Sequence, residues 1–278
     1  MPDADDHDSR SGRIDGEDAV DLAAAGGSDG PIWMITLMRG SDRAGDARDA
    51  DGGGIPASDR DALPGAATAV GGELVFAGDV ERQLLGDPPA WDRVAVVKYP
   101  SGSALIDVQS SPEFRPPDDH PRADTERTIV IGARPIDLPG VNDTSARWDE
   151  VPHPPTDDDP PVVVIHVLAY RGSHRGATPA DMAAYQEAAR SVATTNGVRV
   201  DGWFAAEGTF CGDGRRWDQV RFNAFPSAAA FMAVVADPAR LEAQQHHREV
   251  AIADTYALLV RPTVNRLADS LTEEAVHG

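Results

Sequence analysis

The sequence predicts an α+β protein built of two ferredoxin-like halves, each with the element order β-α-β-β-α-β and each forming one sheet with helices on one face. Three observations predict this class: an internal repeat, the order of hydrophobic patterns in the second half, and a segment rich in proline and aspartate between the halves. The length of 278 residues suits two domains.

The internal repeat is visible when residues 74–122 are placed over residues 200–248, a constant shift of 126 positions. Identical pairs include Gly86/Gly212, Trp91/Trp217, Asp92/Asp218, Pro100/Pro226, Ser101/Ser227, His120/His246 and Arg122/Arg248. A period of this length indicates paired domains, because the repeats of solenoid proteins span only about 20 to 50 residues. We therefore expect the halves to pack on each other as the two subunits of a homodimer would.

The second half shows the β-α-β-β-α-β order directly. Its first helix is expected to start at Thr178-Pro179, where a cap is followed by proline, and to end near Asn196-Gly197. Ser227 is expected to cap the second helix. The predicted strands cover residues 162–171, 198–206, 217–225 and 256–261, and a further short helix covers residues 239–251. The first half repeats the order, with a poorer first helix interrupted by Pro64-Gly65.

Domain boundaries follow from composition. Residues 1–30 are rich in Asp, Gly and Ser without hydrophobic periodicity, which predicts a disordered acidic tail. The remaining predicted units are a first half over residues 31–138, a Pro/Asp-rich linker over residues 139–160, a second half over residues 161–268 and a tail over residues 269–278. The aspartate run 157–159 lacks the spaced ligands of a calcium loop and is expected to be solvated.

The charge and cysteine content exclude several classes. The net charge of -21 argues against nucleic acid or an anionic membrane as a partner. The single Cys211 excludes an intrachain disulfide framework and a cysteine zinc cluster. No apolar run is long enough for a membrane span, and residues 1–30 do not resemble a signal peptide, so we expect a cytoplasmic protein. No nucleotide-binding glycine motif is found, and we expect no cofactor and no metal.

One stretch also resembles a known family. The run Gly86-Asp87, Trp91, residues 93–97, Tyr99-Pro100-Ser101 and residues 110–114 is similar to the domain of unknown function 1330. The second half is similar to it less closely, since Gln219 stands in place of the arginine at position 93. The resemblance implies an intramolecular dimeric α+β barrel, from a superfamily that includes cofactor-free monooxygenases, muconolactone isomerase-like proteins and polyketide cyclases. It supplies no reaction.

Strand alternation predicts a site on the barrel face. In such a barrel the helix-free faces of two sheets meet, and period-2 alternation assigns His166, Tyr170, Gln219, Arg221 and Asn223 to that face. His166 is a candidate general base, Tyr170 a hydroxyl donor, and Arg221 a group that holds an anionic or enolate oxygen. The alternative is that these polar side chains satisfy one another across the sheet or face solvent.

The first half is expected to supply an apolar wall to the same pocket. The alignment sets Met34 and Met38 opposite His166 and Tyr170. The complete predicted substrate-binding set is Asn223, Gln219, Met34, Met38, Trp217, His246 and Arg248. For Trp217 and Trp91 a core position at a hairpin end is the alternative, and for His246 and Arg248 a structural role. The adjacent His246 and His247 would point in different directions, which argues against a metal site.

Two function classes remain open. The first is an enzyme of the cofactor-independent monooxygenase, isomerase or cyclase type, acting by acid/base chemistry on a small aromatic or polyketide-like molecule in a pocket between the two sheets. The second is a non-catalytic ligand-binding or structural barrel. A cavity reached by His166, Tyr170 and Arg221 favours the first, and a barrel packed solid with side chains favours the second. The expected partner is a small-molecule ligand, and the chain is expected to be a monomer with an internal pseudo-dimer, or a homodimer.

Overall fold

The computed structural model describes residues 30–40, 68, 71–104, 127–136, 147–172 and 178–272, and within them eight strands form a closed antiparallel barrel. The strands are β1 (Ile32–Arg39), β2 (Glu73–Leu85), β3 (Arg93–Tyr99), β4 (Arg127–Pro135), β5 (Val162–Tyr170), β6 (Arg199–Cys211), β7 (Gln219–Phe225) and β8 (Ile252–Asn265). The predicted N-terminal tail lies outside the described residues except for Gly30, and so do the predicted first-half helices except for the helical residues 68 and 102–104.

The order around the barrel is β1-β3-β2-β8-β5-β7-β6-β4, and β4 pairs with β1 to close it. Strands of the first half are neighbours in the order β4-β1-β3-β2, and strands of the second half in the matching order β8-β5-β7-β6. The two sets join through β2 with β8 and through β4 with β6. Because the sheet closes on itself, none of the eight described strands has an unpaired edge. The α+β class and the closed barrel are as expected.

The helices of the second half are α1 (Ala180–Thr195), α2 (Ala228–Val235), α3 (Pro238–Ala243), a π-helical turn (Gln244–Arg248), α4 (Glu249–Ala251) and α5 (Leu267–Thr272). Ser227 caps α2 as predicted, since its Oγ accepts from the Ala230 amide at 3.0 Å. Thr178 does not cap α1: Pro179 is the N-cap residue, and the Thr178 hydroxyl accepts from Gln219 instead. None of the described helices has the length and apolar character that a membrane crossing requires.

The barrel interior is filled by side chains of both halves. Two aromatic contacts join strands that are not neighbours: Trp33 with Phe204, at 5.9 Å between ring centroids, and Phe76 with Phe222, at 5.2 Å. Such contacts are possible only across the barrel, whose eight strands enclose a space just wide enough for side chains. The pocket between the two sheets that the first function class expects is therefore not seen inside the described barrel.

The predicted assignment of strand faces is wrong. Val163, Ile165 and Val167 belong to the barrel core, whereas Leu168 and Tyr170 pack on Met182 of α1, outside the barrel. Because β5 is apolar on both faces, alternation separates its two faces without showing which of them points inward. The face that carries His166 is therefore the helix-covered one, and a pocket between the sheets is not found there.

The repeated Trp-Asp pair makes the same contacts in both halves. Asp92 accepts from the Gly40 amide and Asp218 from the Tyr170 amide, at 2.8 and 2.6 Å. Trp91 and Trp217 are both buried against Tyr256, which confirms their core position.

These contacts also correct the alignment of β1 with β5. His166 pairs with Arg221 on β7, while Thr36 pairs with Ala95 at the repeat-related place on β3. Thr36, rather than Met34, is thus the counterpart of His166. The two halves align with a shift of 126 positions over residues 74–122 and 200–248, but the shift between β1 and β5 is a few positions larger.

The linker is attached to the second half. Asp159 accepts from the amides of Ala228 and Ala229 at the start of α2, at 2.8 and 3.0 Å, so the last residue of the aspartate run is not merely solvated. Trp148 donates to the Gly197 carbonyl at 2.8 Å, just beyond the end of α1. These contacts tie residues 148–159 to the ends of two helices.

Helix α5 covers one end of the barrel, although its last residues were assigned to the C-terminal tail. Leu267 is fully buried in the core, and Ser270 accepts from the Trp33 indole at 3.1 Å. Lys98 donates to the Ser270 carbonyl at 2.7 Å. The charge and hydrogen bonds of Lys98, the only lysine, therefore hold this helix in place.

Near the same end, Asp201 is expected to respond to pH. Its side chain is 8% exposed, accepts from Asn265 at 2.8 Å, and has its pKa raised by burial. A carboxyl whose folded pKa lies above its unfolded value, about 3.9, contributes its full stability below that pH and loses it as the pH rises through the folded pKa. We therefore expect Asp201→Asn to raise the melting temperature at pH 7 more than at pH 4. Thermal unfolding at both values checks this, with exposed Asp158→Asn as the control; a variant less stable than the parent at pH 7 would contradict it.

Candidate functional site

The predicted polar residues of the second half lie together in a layer between the barrel wall and the helices. His166 and Tyr170 come from β5, and Gln219 and Arg221 from β7, with His166 directly opposite Arg221 in the strand register. Helix α1 and the π-helical turn pack on one another over this part of the sheet. We call this region, between the outer face of β5–β7 and these two helical segments, the helix layer.

A shared acceptor organises the hydrogen bonds of the helix layer. Gln219 Oε1 accepts from the Tyr170 hydroxyl at 2.6 Å, from the Trp203 indole at 3.0 Å and from Arg221 Nη2 at 2.8 Å. The Gln219 amide nitrogen donates to Thr178 Oγ1 at 3.1 Å. All of the hydrogen-bonding atoms of this side chain are in use, which orients it firmly.

Arg221 is a buried cation held by neutral groups. It is 5% exposed, its Nη2 also donates to the Tyr170 hydroxyl at 2.7 Å, and its guanidinium stacks over the Trp203 ring at 3.7 Å. The Gln186 amide, with its oxygen turned toward Arg221, accepts from Nη1 and Nη2 at 2.5 and 2.8 Å. Burial lowers the pKa of Arg221 to about 10. Its Nε has no hydrogen-bond partner among the described residues.

Arg248 enters the helix layer from the π-helical turn. In such a turn residues five apart are neighbours, which brings the buried Ala243 and Arg248 to the same inward face. Arg248 is 7% exposed, and its buried Nη2 has no hydrogen-bond partner within the described residues. Burial lowers its pKa, and nearby Arg240 adds to that effect.

His166 is neutral in this setting. Burial lowers the pKa of His166 well below its ordinary value, and Arg248, Arg221 and Arg240 lower it further. The Nδ1 atom is shielded from solvent and has no partner in the described parts of the chain. The side chain as a whole is nevertheless half-buried, while Val164 and Leu168 on the same face are fully buried. Solvent therefore reaches part of the His166 side chain, although its Nδ1 atom is shielded.

The charge balance of the helix layer is opposite to that of the whole chain. The protein has 46 acidic and 25 basic residues, Lys and Arg together. Within the described ranges, however, neither Arg221 nor Arg248 lies within ion-pair distance of a carboxylate, whereas Arg93, Arg215 and Arg261 each do. An uncompensated buried cation is costly, and the cost is relieved when an anion binds.

The other predicted site residues are dispersed. Asn223 is half-buried on β7, beside the same layer. Met34 packs with Ile32, Val97 and Phe210 on the outer face of the first half, and Met38 follows on β1, so neither methionine faces His166. Trp217 lies in the barrel core, and His246 is exposed. His120 and Arg122 lie outside the described residues.

Three residues of the helix layer were not predicted from the sequence: Trp203, Gln186 and Thr178. The helical spacing of α1 could have identified Gln186, because it places this polar residue on the inward side of the helix near Met182 and Ala189. Trp203 became relevant only through its register opposite Arg221.

A groove of about 300 Å³ also lies between α1 and α3, lined by Ala188, Ala239, Glu242, Ala243, His246 and His247. Most of these residues are exposed, and the groove does not include His166, Tyr170 or Arg221. In the part of the chain that the structure describes, no cluster of three or more His, Cys, Asp or Glu side chains could hold a metal ion.

Comparison with known proteins finds several solved structures that are similar at low identity. No protein-family model matches the chain, and no curated protein matches it. Among solved structures, a protein of unknown function from Rhodopseudomonas palustris is 27% identical, over 37% of this chain and 83% of its own, with a TM-score of 0.33. An anthrone oxidase-like protein is 11% identical, over 87% of this chain and 96% of its own, with a TM-score of 0.47. A mutant chlorite dismutase from Candidatus Nitrospira defluvii is 10% identical, over 87% and 94%, with a TM-score of 0.43.

Proposed function

We propose that this protein binds a small molecule in the helix layer of its second half, and that His166 acts on that molecule as a proton acceptor. The observation that carries the proposal is the set of buried groups without partners in this layer: His166 Nδ1, Arg221 Nε and Arg248 Nη2. Buried polar atoms in native proteins are nearly always hydrogen-bonded, so three unpartnered ones in one layer, beside a partly exposed histidine, support a ligand site.

The chemistry of these groups suits proton transfer. When a neutral imidazole surrounded by cations accepts a proton, it adds a positive charge to a site that is already positive. This is favourable only when the ligand becomes an anion on losing the proton, because the anion offsets that charge. The cations Arg221 and Arg248 would stabilise a developing enolate or phenolate oxygen. The reaction class is cofactor-independent acid/base chemistry on a small, planar molecule.

The first test compares retained ligand in three full-length proteins: the parent, His166→Ala and Thr36→Ala. Thr36 is the matched control, since it occupies the counterpart position in the first half. Each protein is purified, denatured, and its released small molecules identified by mass spectrometry; the ligand is then returned to each protein and its conversion followed. We expect Thr36→Ala to behave as the parent and His166→Ala to lose conversion by at least about 100-fold, a typical contribution of general-base catalysis.

The protonation state of His166 gives a test that needs no ligand. Because its folded pKa is depressed, the neutral ring contributes stability above the unfolded pKa, about 6.5, and that contribution is lost as the pH falls toward the folded value. We expect NMR of the His166 ring to show no titration between pH 8 and pH 6. A ring that titrates near pH 6.5 would contradict the cationic surroundings on which the proposal depends.

Binding without turnover is the second candidate function. It is supported by the filled barrel interior and by Tyr170, whose hydroxyl already donates to Gln219 and accepts from Arg221. In that case a ligand is released on denaturation from the parent and is bound again unchanged.

We also infer that the chain is a fused pair of ferredoxin-like units related to the domain of unknown function 1330, and a monomer in solution. The matching strand orders of the two halves and the equivalent contacts of Asp92 and Asp218 support the duplication. The closed barrel supports the monomer, because the sheet edges that would join two copies already join the halves.

A further inference from the structure

We propose that the ligand of the helix layer carries a carboxylate, that Arg248 binds it, and that Arg221 is a positioning residue that does not contact it. This inference rests on the proposed function, since it concerns the same layer. It assigns different tasks to two buried arginines that the sequence alone does not distinguish.

The hydrogen bonds of Arg221 leave little for a ligand. Its Nη1 and Nη2 are directed at the Gln186 amide, the Tyr170 hydroxyl and Gln219 Oε1, and one face of its guanidinium lies on Trp203. A carboxylate could take its Nη atoms only by breaking several of these hydrogen bonds. Arg221 therefore orients Tyr170 and Gln219, and acts on a ligand through its charge.

Arg248 has the opposite character. It makes no hydrogen bond or ion pair with a described residue, although it is as deeply buried as Arg221. A planar guanidinium with free N–H groups matches the two oxygens of a carboxylate, and such a pair is stronger when shielded from water.

The neighbours of Arg248 indicate the charge and the aromatic character of the ligand. The aromatic groups Tyr185 and Tyr170 lie near it, and burial raises the pKa of the Tyr170 hydroxyl, which keeps that group neutral. His166 is neutral as well, and the Nη groups of Arg221 are occupied, so Arg248 is the cation of this layer whose N–H groups are left to bind a single carboxylate. A small aromatic monocarboxylate meets these conditions better than a phosphate, which carries more charge and needs more donors.

Benzoate is a suitable probe, with benzamide as its neutral isostere. We measure the thermal unfolding of the full chain in 10 mM sodium benzoate, in 10 mM benzamide and in sodium chloride of equal ionic strength. A ligand that binds only the folded state raises the melting temperature by an amount that grows with the ratio of its concentration to its Kd, so we expect a rise of a few degrees with benzoate and none with benzamide or chloride. The parent is compared with Arg248→Met and with Arg190→Met, which removes the same charge from an exposed position on α1.

Arg248→Met is expected to remove the benzoate response, with at least a tenfold weaker Kd, and Arg190→Met to retain it. Without ligand, Arg248→Met should unfold at or above the parent temperature, because a buried cation without a partner is replaced by an apolar side chain of similar length. Loss of folding in Arg248→Met would overturn the inference, since it would mean that the protein itself uses this cation. An equal benzoate response in parent and variant, or no response in the parent, would also overturn it.

Failure of this inference and failure of the proposed function can be told apart. If benzamide stabilises the parent and Arg248→Met alike, while His166→Ala loses that response, the helix layer binds a neutral molecule and only the carboxylate is wrong. If no small molecule is retained on purification and neither probe changes the unfolding temperature, both are wrong.

Discussion

Gln219→Leu is expected to destabilise the protein by about 3 to 5 kcal/mol, the cost of leaving a buried charge and its partners without an acceptor. The substitution removes the oxygen that accepts from Tyr170, Trp203 and Arg221 at the same time. Urea unfolding of the parent and the variant measures the difference.

Gln219→Glu is the companion variant, since it keeps the shape and the accepting oxygen and adds a carboxylate beside Arg221. We expect its stability to equal or exceed that of the parent. We also expect it to bind an anionic ligand more weakly than the parent does, because the added negative charge repels the anion. A Gln219→Leu protein within about 1 kcal/mol of the parent would show that this network contributes little, below the usual cost of one unsatisfied buried group.

Phe222→Ala is expected to cost about 3 to 5 kcal/mol, the usual range for removing a buried phenyl group from a packed core. Phe222 is fully buried and contacts Phe76 of the first half at 5.2 Å and Phe204 of its own half at 5.9 Å between ring centroids. The control is Met232→Ala on α2, where the side chain is 56% exposed and a change within about 0.5 kcal/mol is expected.

A double-mutant cycle extends this test to the packing of one half on the other. Because Phe76 and Phe222 are in contact, the combined Phe76→Ala and Phe222→Ala protein should differ from the sum of the single changes by at least about 0.5 kcal/mol. Strictly additive effects would indicate that the two rings do not share one core in solution.

The two halves have the same strand order, but their outer faces differ in chemistry. Where the second half has His166 and Arg221, the first half has Thr36 and Ala95 at the corresponding register positions. Around Met34 the outer face of the first half is an apolar cluster. This asymmetry of the described residues supports the proposal of a ligand site in the second half.

The sequence by itself determined the local elements of the second half. Ser227 begins α2, Asn196-Gly197 end α1, and the Trp-Asp pairs mark equivalent places in both halves. The first two depend on short-range chemistry: a hydroxyl next to free amides, and a glycine with φ of +71°. The Trp-Asp pairs are visible in the sequence as a repeat, but their aspartates accept from residues 52 and 48 positions away in the chain.

Only the tertiary structure decided which face of each strand is inside the barrel. The residues of β5 are apolar on both sides, so burial is satisfied by either orientation, and the choice depends on the large aromatic side chains of other strands that fill the barrel. For the same reason, the sequence correctly predicts that His166, Tyr170, Gln219 and Arg221 lie together, but it places them on the wrong side of the sheet. The inward direction of Arg248 likewise depends on the π-helical turn, which packs on α1 and which a helical repeat in the sequence does not reveal.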